Sequence, residues 1–119
     1  KRFHIYFFTG RPLFKKIAAL FLNTYRSEYG VTSHFYSADA FNELSPPKTS
    51  TEYLKRFGES TFQSITQIDE KAVWVMQGWM FFSDPIFWTK ARSRALVTSV
   101  PKGMRRTDMH LIISQCTIY

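Results

Sequence analysis

Cysteine is almost missing from this chain. Cys116 stands alone among 119 residues, so there can be no internal disulfide, and no CxxC or Cys/His ligand spacing exists. His4, His34 and His110 lie too far apart in sequence to suggest a metal site. Glycine is sparse and never forms GxGxxG or GxxxxGKS/T, which removes the usual signature of a phosphate-cradling loop. No cofactor is therefore expected. No uninterrupted apolar run approaches the roughly 20 residues that a membrane helix needs, so no membrane partner is expected. Lys1-Arg2 leads only to the short run Phe3 to Phe8, in which no signal peptide is legible. There is no Asn-X-Ser/Thr acceptor, and the lack of disulfides leaves the redox compartment open.

Acidic residues are also few. Sixteen Lys and Arg against 9 Asp and Glu give a formal charge of +7. A basic balance raises nucleic acid and anionic surfaces as partners. The basic residues come as short pairs (Lys1-Arg2, Lys15-Lys16, Lys55-Arg56, Arg105-Arg106) rather than one block, however, and read as ordinary solvated positions. No nucleic-acid partner is expected; an acidic polysaccharide stays open as a partner class. Aromatic residues, by contrast, are abundant. Twelve Phe, 6 Tyr and 3 Trp within a 45% hydrophobic composition supply the material for a packed core. The excess rings need a cover, which a partner, another part of the protein or sugar rings can provide.

From Arg11 to about Tyr29, Leu13, Phe14, Ile17, Leu20, Phe21 and Tyr25 recur at helical spacing, with Lys15, Lys16, Asn23 and Arg26 mostly opposite. Pro12 suits the first turn and Gly30 the end. Val31 to Ser37 is rich in β-branched and aromatic residues and predicts a strand. A polar stretch from Asp39 to Glu43 follows, then Ser45-Pro46-Pro47, which forces a loop. Thr49 to Glu52 fits a capping box, and Leu54, Phe57, Thr61, Phe62, Ile65 and Ile68 form the stripe of a second helix. Within it Gly58 should cost about 1 kcal/mol relative to alanine. Ala72 to Met76 is apolar at consecutive positions, as a strand buried on both faces should be, and runs into Gln77-Gly78-Trp79. Asp84-Pro85 reads as the start of a third helix buried through Phe87, Trp88, Ala91, Ala95 and Leu96, closed by Pro101-Lys102-Gly103. Leu111 to Ile113 predicts a last strand.

Helices alternating with strands imply parallel pairing, hence an α/β fold. Without a phosphate loop, a segment of a (β/α)8 barrel of about three βα units fits better than a doubly wound domain. In such a barrel, chemistry belongs at the carboxyl ends of the strands, where Asp39, Asn42, Glu43, Gln77 and Trp79 fall. Glu43 is the sharpest of these. Glycosidic cleavage needs a carboxylic acid to protonate the leaving oxygen and a second carboxylate opposite it. Asn42 beside it can hydrogen-bond the substituent on the sugar's second carbon. An Asn-Glu pair is common, and on spacing alone a solvated loop glutamate is the simpler reading. Trp74, inside the strand, reads as core. Trp79, just past the strand end, reads equally well as a stacking surface for a pyranose or as a lid on the barrel top. Asp39 can orient the loop or a sugar hydroxyl, a turn-stabilising contact being the simpler role.

These residues together resemble a known family. Arg11-Pro12-Leu13-Phe14, the run from Asp39 to Pro47 with its Phe41-Asn42-Glu43 and Pro46-Pro47, Ala72 to Phe81 with Gln77-Gly78-Trp79, Asp84 to Trp88, and Val100-Pro101-Lys102-Gly103 resemble the alpha-N-acetylglucosaminidase family across residues 11 to 103. Its animal members are lysosomal exo-enzymes that remove terminal N-acetylglucosamine from heparan sulfate. The resemblance implies a (β/α)8 barrel, a retaining mechanism with two glutamates, a carbohydrate partner and a lysosomal location. Carried over by position, Glu43 matches the general acid/base, Asn42 its neighbour in the substrate pocket, and Trp79 a pocket wall. The family's nucleophile lies on a later strand and matches no residue here; Glu70 and Asp108 are not substitutes. Residues 1 to 10 and 104 to 119 depart from the family pattern, so the chain is expected to be a piece of a catalytic barrel that needs the remainder of its parent. A truncated homologue that binds carbohydrate without cleaving it is the alternative.

Overall fold

The computed structural model of the chain describes residues 12–30, 33–38, 41 and 44–100, together with the backbone of 111–114. The first helix, α1, runs Pro12–Tyr29 as its apolar spacing predicts. Gly30 follows at φ 74°, a conformation that side chains disfavour, and its N–H reaches the Arg26 carbonyl at 3.0 Å to close the helix. β1 (Phe35–Ser37) is shorter than the expected strand: Ser33 and His34 precede it outside the ladder, and residues 31 and 32 lie outside the described set.

Helix α2 (Thr51–Thr66) is capped by Ser50, whose hydroxyl accepts the Tyr53 N–H at 3.2 Å. The expected capping box from Thr49 to Glu52 does not form. Glu52 instead pairs with Arg56 one turn on, at 2.7 Å. The stripe Leu54, Phe57, Thr61, Phe62 and Ile65 is buried as expected, and the helix stops before Ile68. β2 (Val73–Gln77) follows, then a short α3 (Trp79–Ser83) that the sequence reading did not anticipate. The long helix expected from Asp84 is instead a single turn followed by α4 (Lys90–Val97). Asp84 caps that turn through the Phe87 N–H at 2.9 Å, and Thr89 caps α4. Two N-capping residues five positions apart divide what the apolar spacing reads as one helix. The expected closing segment 101–103 lies outside the described residues.

The strands form a three-stranded parallel sheet in the order β1-β2-β3, with β3 (Leu111–Ser114) paired along β2. Phe35 stands opposite Val73 and Ser37 opposite Val75, while Gln77 meets Ser114. β2 is the central strand, and Val73, Trp74 and Met76 are buried, which accounts for its consecutive apolar residues. On it pack Leu54, Phe57, Phe62, Met80, Phe87, Trp88 and Leu96, from α2, α3 and the α4 region.

Helix α1 sits differently from its hydropathy pattern. Leu13, Leu20 and Phe21 are 60%, 68% and 66% exposed, and no residue of the helix is fully buried. The side facing the body carries Lys15 and Arg26, the residues expected to face away. Arg26 Nη1 donates to the Ile68 carbonyl at 2.7 Å, Lys15 Nζ to the Gln63 side chain at 2.9 Å, and Gln67 Nε2 to the Lys15 carbonyl at 3.0 Å. The helix docks through hydrogen bonds to α2 and its C-terminal turn, and its apolar stripe is left largely exposed, Leu13 and Leu20 to solvent and Phe21 and Tyr25 along an open groove against β1 and α2. Such a stripe should make the isolated chain bind apolar dye and self-associate in sizing chromatography, both reduced by L20K together with F21K. A sharply melting monomer that binds no dye would contradict this.

Gly58 is where α2 meets the end of α4. A Cβ built there falls 2.0 Å from Ser99 Oγ and 2.9 Å from Ser99 Cβ. Helix propensity alone favours G58A by about 1 kcal/mol, but overpacking of this kind costs about 1–3 kcal/mol, so G58A should lower the stability of the chain in urea. Adding S99G should restore most of that loss.

Candidate active site

In a parallel sheet every strand ends at the same edge. Here Ser37, Gln77 and Ser114 bring the chain out together, so the 38–50 segment and the Gly78-Trp79 turn start side by side. The exit of β1 is fixed from within. The Ala38 N–H donates to the Val75 carbonyl at 3.1 Å, and the Ala38 carbonyl accepts the indole N–H of Trp74 at 2.8 Å. Trp74 is the core residue that its apolar neighbours predict, fully buried with its polar atom satisfied.

Asp39, Asn42 and Glu43 lie outside the described residues; the chain on either side of Asn42 and Glu43 is described. Phe41 is buried, its ring 4.5 Å from Phe57 and 5.9 Å from Trp88. Its carbonyl accepts the Leu44 N–H at 2.8 Å. Ser45 Oγ then donates to Asp84 Oδ2 at 2.5 Å, and Pro46 is buried. Further on, Arg92 Nε donates to the Thr49 carbonyl and Arg92 Nη1 to the Phe87 carbonyl, each at 2.9 Å, with its guanidinium 4.9 Å from the Phe87 ring. Trp88 sits at the centre of this base, meeting Phe81 and Phe87 edge-on at 5.1 Å each. The hydrogen bonds from Ser45 and from the Phe87 N–H hold the Asp84 carboxyl below the usual carboxylate range. Trp79 opens α3 at the same edge, half-buried, and Gln77 beside it is exposed.

Ser45, Asp84 and Arg92 escaped the sequence reading. Asp84 was legible only as a cap, because nothing local to it announces a partner 39 positions earlier.

The opposite, amino edge of the sheet holds a second polar group. Asp69, 7% exposed just before β2, accepts from Tyr36 Oη at 2.9 Å and from the Lys71 N–H at 3.0 Å, and lies 2.8 Å from His34 Nδ1. Burial by itself raises the Asp69 pKa, but the hydrogen bonds with His34, Tyr36 and the Lys71 amide outweigh it and hold the carboxyl below its ordinary value. Tyr36 is pushed the other way, by burial and by the carboxylate it serves. These bonds tie the entrance of β1 to that of β2. A groove of about 320 Å³ lies between α1, β1 and α2, lined by Ala18, Phe21, Tyr25, Phe35 and Ile65 among the described residues.

The alpha-N-acetylglucosaminidase (NAGLU) tim-barrel domain model matches residues 4–110. Human alpha-N-acetylglucosaminidase is 41% identical over 92 residues, which are 77% of this chain and 12% of that protein. The chain thus spans about an eighth of the length of the curated relative it matches.

Because Asp69 has a lowered pKa in the fold, its contribution to stability is full above the unfolded value of about 4 and fades as pH falls through the folded value. Replacing it with Asn should cost the chain about 1–3 kcal/mol at pH 7, the usual worth of hydrogen bonds to a buried charged group. Urea titrations of the two proteins should converge as pH drops below about 4. A gap that is constant with pH would mean that the charge of Asp69 contributes nothing.

Proposed function

The chain belongs to the alpha-N-acetylglucosaminidase family of glycosidases, and from that premise we propose that it carries the acid/base part of an exo-α-N-acetylglucosaminidase barrel. Glu43 is the general acid/base, Asn42 its neighbour against the substituent on the sugar's second carbon, and Trp79 a wall of the sugar pocket. The parent protein removes terminal N-acetylglucosamine from heparan sulfate in the lysosome, through a retaining mechanism in a (β/α)8 barrel of which this chain supplies about three βα units.

The observation that carries this reading is the anchoring of the chain on both sides of Asn42-Glu43 at the carboxyl edge of the parallel sheet. Phe41 is buried in the aromatic base and Ser45 is tied to Asp84. An acid must stay within hydrogen-bond reach of the leaving oxygen, and a short segment held at both ends restricts where it can go. In the first step Glu43 gives its proton to the glycosidic oxygen while the second carboxylate attacks the anomeric carbon. In the second it takes a proton from the water that releases the sugar. The basic balance of the chain suits a sulfated polysaccharide as partner.

Retaining hydrolysis needs two carboxyl groups about 5 Å apart, and no residue here matches the nucleophile, so the isolated chain should release no chromophore from an aryl α-N-acetylglucosaminide. In the full-length protein, E43Q should slow substrates with poor leaving groups by about 10²–10⁴-fold. Activated aryl glycosides should lose less in the first step and be partly rescued by azide, a small anion that attacks the glycosyl-enzyme without a base. Turnover of the natural substrate within about threefold of wild type would rule Glu43 out as the acid/base.

A further inference from the structure

The segment bearing Asn42-Glu43 is fastened at two places of different kind. Phe41 is held by burial, its ring packed on Phe57 and Trp88. The other side, Leu44-Ser45, has little burial to hold it: Leu44 is 48% exposed and Ser45 is exposed. What fixes that side is polar. Ser45 Oγ donates to Asp84 Oδ2 at 2.5 Å, and the other carboxylate oxygen, Oδ1, accepts the Phe87 N–H at 2.9 Å. The Asp84 carbonyl also accepts the Trp88 N–H at 2.9 Å. Asp84 is thus tied to the turn whose Trp88 ring supports Phe41, and Phe41 and Ser45, on either side of the Asn42-Glu43 pair, both contact residues 84–88.

We infer that Asp84 is a positioning residue for Glu43, acting through Ser45 to hold the exposed side of the acid-bearing segment against the turn that also supports its buried side. The inference rests on the reading of Glu43 as the acid/base. The physical reason is leverage. Glu43 is two positions from Ser45, and with that hydrogen bond gone the segment keeps the Phe41–Leu44 hydrogen bond, the buried Pro46 and, four positions beyond Ser45, the Arg92 tie to the Thr49 carbonyl. Misplacing a catalytic group by about 1 Å can cost on the order of 10²-fold, even when the substituted residue never touches substrate. Asp84 has two jobs that different substitutions separate. S45A removes the tie to the segment and leaves the cap on Phe87. D84A removes both. D84N keeps a side-chain oxygen for the Phe87 N–H and an amide that can donate to Ser45 Oγ.

The test uses the full-length protein that carries this chain, with S45A, D84A, D84N and E43Q, and with D84A combined with E43Q. Each is assayed on an oligosaccharide with a sugar leaving group and on an activated aryl glycoside. D84A and S45A should lower kcat on the oligosaccharide roughly 10- to 100-fold, leave KM within about threefold, and lower kcat/KM for the aryl glycoside, which reports the first step, much less. That split follows proton donation, and general loss of folded enzyme would not produce it. D84N should recover most of the rate. In the E43Q background D84A should cost nothing further, since no acid remains to be positioned. Equal losses on both substrates, or a loss by D84A that multiplies onto E43Q, would overturn the role of Asp84 while leaving Glu43 intact. An E43Q enzyme that still cleaves the oligosaccharide normally would instead overturn the acid/base reading itself.

Discussion

The structure depends on the burial of one strand, and within it on one ring. Trp74 is fully enclosed near the start of β2 and carries a single polar side-chain atom, the indole N–H, that cannot be buried without a partner. The partner is the Ala38 carbonyl, the first residue past β1. One contact therefore satisfies the core and fixes where the first strand releases its chain. A packing requirement thereby becomes a requirement on where the chain leaves the sheet.

The two edges of the sheet use polar groups for different ends. At the amino edge, Asp69 gathers Tyr36, His34 and the Lys71 amide around one buried carboxylate, tying the entrance of β1 to that of β2. Each of its partners is protein, and what it contributes is stability that depends on charge. At the carboxyl edge, Asp84 from the turn after α3 and Arg92 from α4 hold a loop, at Ser45 and at the Thr49 carbonyl. These ties lie nearer solvent and hold a segment with little apolar surface of its own. Loops that carry function are generally held this way, by a scaffold packed elsewhere.

Helix α1 shows what periodicity does and does not say. Its apolar stripe is real, but Leu13, Leu20 and Phe21 stay mostly exposed while Arg26 and Lys15 make hydrogen bonds to the body. A stripe identifies a helix and names a face. It does not say which neighbour that face meets, because the guanidinium of Arg26 reaching an open carbonyl at the end of α2 competes with burial of the stripe for the orientation of the helix. Family membership was carried by separate runs such as Phe41-Asn42-Glu43 with Pro46-Pro47 and Gln77-Gly78-Trp79, and the match to the domain model spans residues 4–110.

Local signals in the sequence determined the elements: Pro12 and Gly30 bounded α1, the stripe from Leu54 to Ile65 made α2, and the consecutive apolar residues of β2 marked a strand covered on both faces. These are short-range properties, set by backbone geometry and by the period of burial. The family motifs likewise pointed to Asn42, Glu43 and Trp79. Tertiary structure alone decided the pairings across tens of residues. It joined Ser45 to Asp84, 39 positions apart, Thr49 to Arg92, 43 apart, and His34 to Asp69, 35 apart. A hydroxyl, a carboxylate and a carbonyl carry no period and no register of their own. Their partners are chosen only when the buried strands have brought distant segments within hydrogen-bond reach, which is why the residues that hold the candidate site were the least legible in the chain.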